Sequence, residues 1–106
     1  MKFLLVLLVA SSDAPSTLDE VRGLASAAID GGHEVVVFFY MAGVSLLKAP
    51  ADDLLAALVP LGVRLLACRT SAKEEGIGNE LMEGAEMSSL GEFVELLERC
   101  DRVLLG

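Results

Sequence analysis

Cys68 is the residue of this chain whose setting points most clearly to chemistry. It closes the run GVRLLAC that begins at Gly62, and Arg69-Thr70-Ser71-Ala72-Lys73 follows it at once. Val63 to Ala67 has the length and apolarity of a strand. Thr70 to Glu75 reads as a short helix stopped by Gly76. A cysteine at such a junction meets the unpaired N–H groups and the positive dipole end of the helix. That setting favours thiolate over thiol, and thiolate is the attacking species in sulfur chemistry. Arg69 adds a positive charge, and the backbone amides of Thr70 and Ser71 face the same end. The alternative is a cysteine that simply packs as a small apolar side chain at the end of a strand.

The other candidates are weaker. Cys100 precedes a strand rather than a helix, so it lacks the dipole and reads as structural. His33, the one histidine, sits beside Gly31-Gly32 and reads as a solvated turn residue. A single histidine excludes a histidine-rich metal site, and the two cysteines form no CxxC or zinc pattern. Glu74, Glu75, Glu80, Glu83 and Glu86 have the spacing of a solvated face, not of a cation loop. There is no phosphate loop, and Gly76-x-Gly78 does not complete a dinucleotide fingerprint. The expectation is therefore no cofactor and no metal.

The elements that must position Cys68 follow from the hydrophobic pattern. Lys2 to Val9 is apolar after its lysine, as in a strand covered on both faces of a parallel sheet. The same stretch resembles the start of a signal peptide, but the apolar run is short for one and the sheet needs it as a strand. Ser11 to Pro15 is a loop, Ser16 or Thr17 caps a helix running to Asp30, and Gly31-Gly32 stops it. The face of that helix carries Leu18, Val21, Ala25, Ala28 and Ile29. Val35 to Tyr40 is a second buried strand. Met41 to Pro50 is a loop with a helical turn around Ser45 to Lys48.

Asp52 or Asp53 caps a helix burying Leu54, Leu55, Leu58 and Val59. After the Cys68 segment, Ile77 to Gly84 is polar with a turn at Asn79 to Met82, and Ala85 to Ser88 is a short strand. Ser89 and Glu92 make a capping box for a helix over Leu90 to Arg99 with Phe93, Leu96 and Leu97 inward. Asp101 to Leu105 is the last strand. Alternating strands and helices give a single α/β domain over residues 1–106, with a parallel sheet of about five strands and helices on both faces. In such sheets reactive groups collect at the carboxyl ends of the strands, which is where Cys68 falls.

The totals narrow the class. The chain has 106 residues, 54% of them hydrophobic, which suffices for one domain with a real core. A formal net charge of −8 excludes a nucleic-acid or anionic-membrane surface and fits a basic protein partner. No run is long enough to cross a membrane as a helix. Two cysteines without a disulfide framework indicate the cytoplasm, where thiols stay reduced. A mean hydropathy of +0.60 is high for a small monomer. It leads us to expect a homo-oligomer with part of Ala42 to Ala51, or the Leu46-Leu47 pair, between subunits.

The ordered combination of motifs resembles the DsrE/TusD-like sulfur-relay family, the DsrE/DsrF-like proteins. The matching pieces are the apolar first strand with its small polar loop, then Val37-Phe38-Phe39-Tyr40 with Gly43-Val44, then Gly62-Val63 leading to Cys68, Ser71-Ala72 and Gly76-Ile77. Ser89-Leu90-Gly91 and Cys100-Asp101-Arg102-Val103 complete the set, which spans essentially the whole chain. The resemblance implies a persulfide carrier, with Cys68 taking sulfane sulfur from a donor protein and passing it to an acceptor, as a sulfurtransferase would. It also implies assembly as a trimer or hexamer, and Gly43, Arg69, Thr70 and Ser71 are the residues expected to line or activate the site. Glu74 and Glu75 depart from the family pattern, which has basic residues before the glycine. Some family members lack the cysteine and serve as assembly subunits, so a non-catalytic assembly subunit or small-ligand binding module is the second reading.

Overall fold

The computed structural model describes residues 3–8, 15–48, 53–77 and 80–105. Five strands, β1 (Phe3–Leu8), β2 (Glu34–Phe39), β3 (Arg64–Cys68), β4 (Ala85–Ser88) and β5 (Arg102–Leu105), form one sheet in the order β4-β3-β2-β1-β5. All four pairings are parallel. From β1 to β4 each strand is laid beside the one before. Right-handed crossovers stepping in one direction put their helices on one face, and the return from β4 to β5 must use the other.

The core divides accordingly. On one face Val35, Val37, Phe39, Leu65 and Ala67 pack with Val21 and Ala25 of α1 (Pro15–Asp30), Leu55 of α2 (Asp53–Ala56) and Ala72 of α3 (Arg69–Glu74). On the opposite face Phe3, Val36, Phe38, Leu66 and Cys68 meet Leu96 of α4 (Leu90–Arg99). Strands β2 and β3 are sealed from solvent on both faces, which is why their sequences read as continuous apolar runs. At the base of the sheet Asp101 joins β5 to β1. Its carboxylate accepts from the Phe3 N–H at 2.7 Å, and its own N–H donates to the Phe3 carbonyl at 2.9 Å.

Several boundaries differ from the sequence reading for local reasons. Helix α1 starts at Pro15, whose fixed φ suits a first helical residue, so Ser16 and Thr17 lie inside the helix. The loop over 11–14, the inward position of the Leu18 side chain, Asp52 and the Leu54 side chain fall outside the described residues, as does part of the turn at 79–82. The segment after β2 is a 3-10 helix, Met41–Leu47, longer than the single turn expected. It closes against the β3–β4 connection, where the Met82 N–H donates to the Leu47 carbonyl at 2.8 Å. The helix expected after Asp53 is broken, α2 giving way to a 3-10 turn at Val59–Leu61 in which Pro60 supplies no N–H. Leu55 and Leu58 are buried as expected, and Val59 is half-buried.

In α4 the inward face is narrower than expected: Leu96 is buried, Phe93 half-buried and Leu97 exposed. The ring of His33 is half-buried rather than solvated. Its Nδ1 is enclosed without a hydrogen-bond partner.

Gly84 leads into β4 at φ 93°, and a Cβ there would lie 2.8 Å from Cγ2 and 2.9 Å from Cγ1 of Val59. Gly84→Ala therefore combines left-handed strain with a clash against a β-branched side chain, and it should cost about 1–3 kcal/mol. Gly76→Ala, at φ 73° with open space around the new Cβ, carries the strain alone and should cost less. Urea midpoints of the two variants check the order.

Candidate functional site

Cys68 is the last residue of β3 and the N-cap of α3, with extended backbone at φ −63° and ψ 121°. Alternation along β3 sends Leu66 and Cys68 to the face covered by α4. The thiol is thus enclosed rather than presented, at 1% exposure, in the cluster of Phe3, Val36, Phe38, Leu66 and Leu96. Tyr40, Phe93 and Cys100 pack against that cluster as half-buried side chains. The ring of Phe93 lies 4.8 Å from that of Phe38.

Of the residues expected around the thiol, Arg69 and Thr70 are exposed in the first turn of α3, and Ser71 is buried. The Ser71 hydroxyl accepts the Met41 N–H at 2.9 Å, which ties α3 to the 3-10 helix after β2. Gly43 is buried within that 3-10 helix. Its neighbour Val44 shares a core cluster with Ala72 of α3. The structure therefore brings Gly43, Ser71 and Cys68 to one end of the sheet, with Arg69 and Thr70 facing solvent beside them. Glu74 and Glu75 are exposed at the far end of α3, about 9 Å of helical rise from Cys68.

Two features at this end escaped the sequence. Met41 is the one described non-glycine residue in the left-handed region, at φ 53°, and its side chain is exposed. No residue type at position 41 signals this, because methionine has no preference for that region. The second is a polar array beside the thiol. Ser88 is the register partner of Cys68 on β4 and is buried. Its hydroxyl donates to Glu92 Oε1 on α4. Arg64 reaches the other oxygen of Glu92 at 3.7 Å and Glu86 at 3.3 Å. The capping box is thus half made: Ser89 Oγ accepts the Glu92 N–H at 3.1 Å, but the Glu92 carboxylate turns to Ser88 instead of returning to Ser89. The pair Ser88-Ser89 ahead of Glu92 was the available signal.

Cys100 stands at the opposite end of α4 from this array. Its thiol donates to the Leu97 carbonyl at 3.3 Å. Both cysteines are free. Among the described residues no cluster of His, Cys, Asp and Glu could hold a metal ion, and no helix is long and apolar enough to cross a membrane.

A parallel five-stranded sheet flanked by helices agrees with what comparison with known proteins finds. The chain belongs to the DsrE/DsrF-like family, whose model matches residues 2–105, and that family is generally linked to sulfur relay. The fold is shared with the YchN protein of E. coli at a TM-score of 0.88 and 19% identity, each chain covered to 100%. A protein of unknown function from Methanobacterium thermoautotrophicum, MTH1491, superposes with a TM-score of 0.81 at 21% identity, again over 100% of both chains. A third, BT1422 from Bacteroides thetaiotaomicron, reaches 0.77 at 15% identity over 96% of this chain and 94% of its own. No curated protein matches the chain.

Proposed function

We propose that this protein is a persulfide carrier in a cytoplasmic sulfur relay, with Cys68 as the sulfur that is loaded and unloaded. The observation that carries the reading is the place of Cys68, closing β3 at the carboxyl edge of the sheet in a DsrE/DsrF-like domain. Loading is attack by the Cys68 thiolate on the outer sulfur of a donor persulfide. A new S–S bond forms at Cys68, the donor's S–S bond breaks, and the donor leaves as thiolate. Unloading repeats the step with an acceptor thiolate as nucleophile and Cys68 as leaving group. No net oxidation occurs and no cofactor is needed. Turnover between a donor and an acceptor protein by this route is sulfurtransferase activity. After loading with inorganic polysulfide and removal of excess, an added acceptor thiol should strip one sulfur mass from the intact protein. A loaded sulfur that no thiol removes would sink the carrier role.

The burial of Cys68 favours a second reading, a non-catalytic assembly subunit or ligand-binding module in which the thiol only packs. A protein that never gains sulfur, and whose Cys68 resists small thiol reagents, is the result that reading predicts.

We further propose a homo-oligomer, a trimer or hexamer. Leu47 cannot lie between subunits, because its own chain buries it completely. The support comes from the second turn of α4 instead, where Val94 and Leu97 at i and i+3 are 51% and 39% exposed. Val103 on the edge strand β5 is exposed as well. Sedimentation should show a species several times the 11.2 kDa chain mass, dissociated by Val94→Glu with Leu97→Glu. A wild-type monomer at micromolar concentration would refute the assembly.

A further inference from the structure

We infer that Glu92 is a positioning residue for Cys68: through Ser88 and Arg64 it latches the first turn of α4 over the thiol, and release of that latch sets how fast Cys68 is reached. The inference deepens the reading of Cys68 as a sulfur carrier, since a carrier whose thiol is 1% exposed needs a part of its surroundings that can open.

The candidates for that moving part are few. Val36, Phe38 and Leu66 belong to central strands and are wholly buried, so they cannot yield without loss of the sheet. Leu96, in the second turn of α4, is equally fixed. The first turn of α4 is different. Ser89, Leu90 and Gly91 are all exposed, so this turn contributes little apolar burial. Gly91 also gives the turn no side chain to pack against the sheet. What holds the turn down is Phe93, packed against Phe38 with the two rings tilted by 41°, and the Glu92 carboxylate. Glu92 accepts the Ser88 hydroxyl on one oxygen and faces Arg64 at 3.7 Å on the other.

The placement of the anchor makes it specific to the thiol. Ser88 is directly opposite Cys68 in the β3–β4 register, and adjacent parallel residues project to the same face. The Ser88–Glu92 bond therefore bridges from the strand beside Cys68 to the helix above it. A segment with little buried apolar surface and a few polar anchors belongs to the low-stability end of a structure and opens locally without global unfolding. Hydrogen bonds to a charged group are the stronger class, so breaking this anchor should shift the opening equilibrium noticeably.

The test is residue-resolved alkylation of the native protein by iodoacetamide, with peptides quantified by mass spectrometry for wild type, Glu92→Ala, Glu92→Gln and Ser88→Ala. Cys100 is the internal reference, because it lies at the other end of α4. Glu92→Ala should raise the Cys68 rate about tenfold or more while Cys100 changes by less than about twofold. Glu92→Gln keeps an acceptor for Ser88 but loses the charge facing Arg64, so its rate should fall between wild type and Glu92→Ala. Ser88→Ala, which leaves the Arg64 pair in place, should also be intermediate and serves if Glu92→Ala fails to fold. An unchanged Cys68 rate overturns the inference. So does a parallel rise at Cys68 and Cys100, which is the mark of general destabilisation.

Persulfide loading with inorganic polysulfide, run beside it, separates the two ideas. The expected alkylation pattern without loading in any variant removes the carrier role and leaves the latch. Wild-type loading with a flat alkylation pattern removes the latch alone.

Discussion

Phe38→Ala should lower the stability of the protein by about 3–5 kcal/mol, the largest single-residue effect expected here. Phe38 is wholly buried in β2, with β1 on one side and β3 on the other. Its ring meets Phe93 of α4 at 4.8 Å. Truncation removes the transfer free energy of a whole ring and leaves a cavity between sheet and helix. Flanking strands paired on both sides cannot collapse to fill it. Against a total of about 5–15 kcal/mol for a domain of this kind, the loss brings the variant near its unfolding threshold. Urea denaturation followed by circular dichroism should show a much lower midpoint with an unchanged slope. The cavity opens on the face that holds Cys68, so the variant's Cys68 should also alkylate faster than that of the wild type. A midpoint within experimental scatter of wild type would mean that this face is not a packed core.

Cys68→Ser should abolish sulfur loading, and Cys100→Ser should leave it intact. A serine hydroxyl cannot form the S–S bond on which transfer depends. The Cys68 environment adds a structural consequence. A hydroxyl placed in the cluster of Val36, Phe38, Leu66 and Leu96 is buried without an assured partner, so it should cost about 1–3 kcal/mol. Cys68→Ala introduces no polar atom and is the control that separates lost chemistry from lost stability. Both substitutions should give unloaded protein, and circular dichroism should remain native for Cys68→Ala. Sulfur retained by either variant would remove Cys68 from the central role.

Much of the architecture was legible because this sheet is parallel and covered on both faces. Val35 to Phe39 and Leu65 to Cys68 had to be apolar at every position, and no helix face requires that pattern. Ser89 and the amphipathic spacing after it fixed α4, and Ala85 to Ser88 was recognisable as a strand despite Glu86. The departures have local causes. Asp53 opens a helix that Pro60 cannot continue. Leu97 has the spacing of an inward residue, yet a ten-residue helix lying over a broad sheet buries only the narrow face around Leu96. The site was legible as a position but not as an environment. Strand alternation placed Cys68 at the carboxyl edge, but which face it took depends on register with Leu66 and on the crossover of α4. The Ser88–Glu92 contact links β4 to the helix that follows it. A three-residue spacing from Ser89 describes the cap equally well, so sequence could not separate the two roles of Glu92.

Peptide-resolved mass spectrometry of wild-type protein after exposure to inorganic polysulfide shows which cysteine carries sulfur. A carrier that works through Cys68 should show one added sulfur on the peptide containing Cys68, removable by a thiol reductant, and none on the peptide containing Cys100. Sulfur on Cys100 alone, or on neither cysteine while Cys68 remains unmodified, would contradict it.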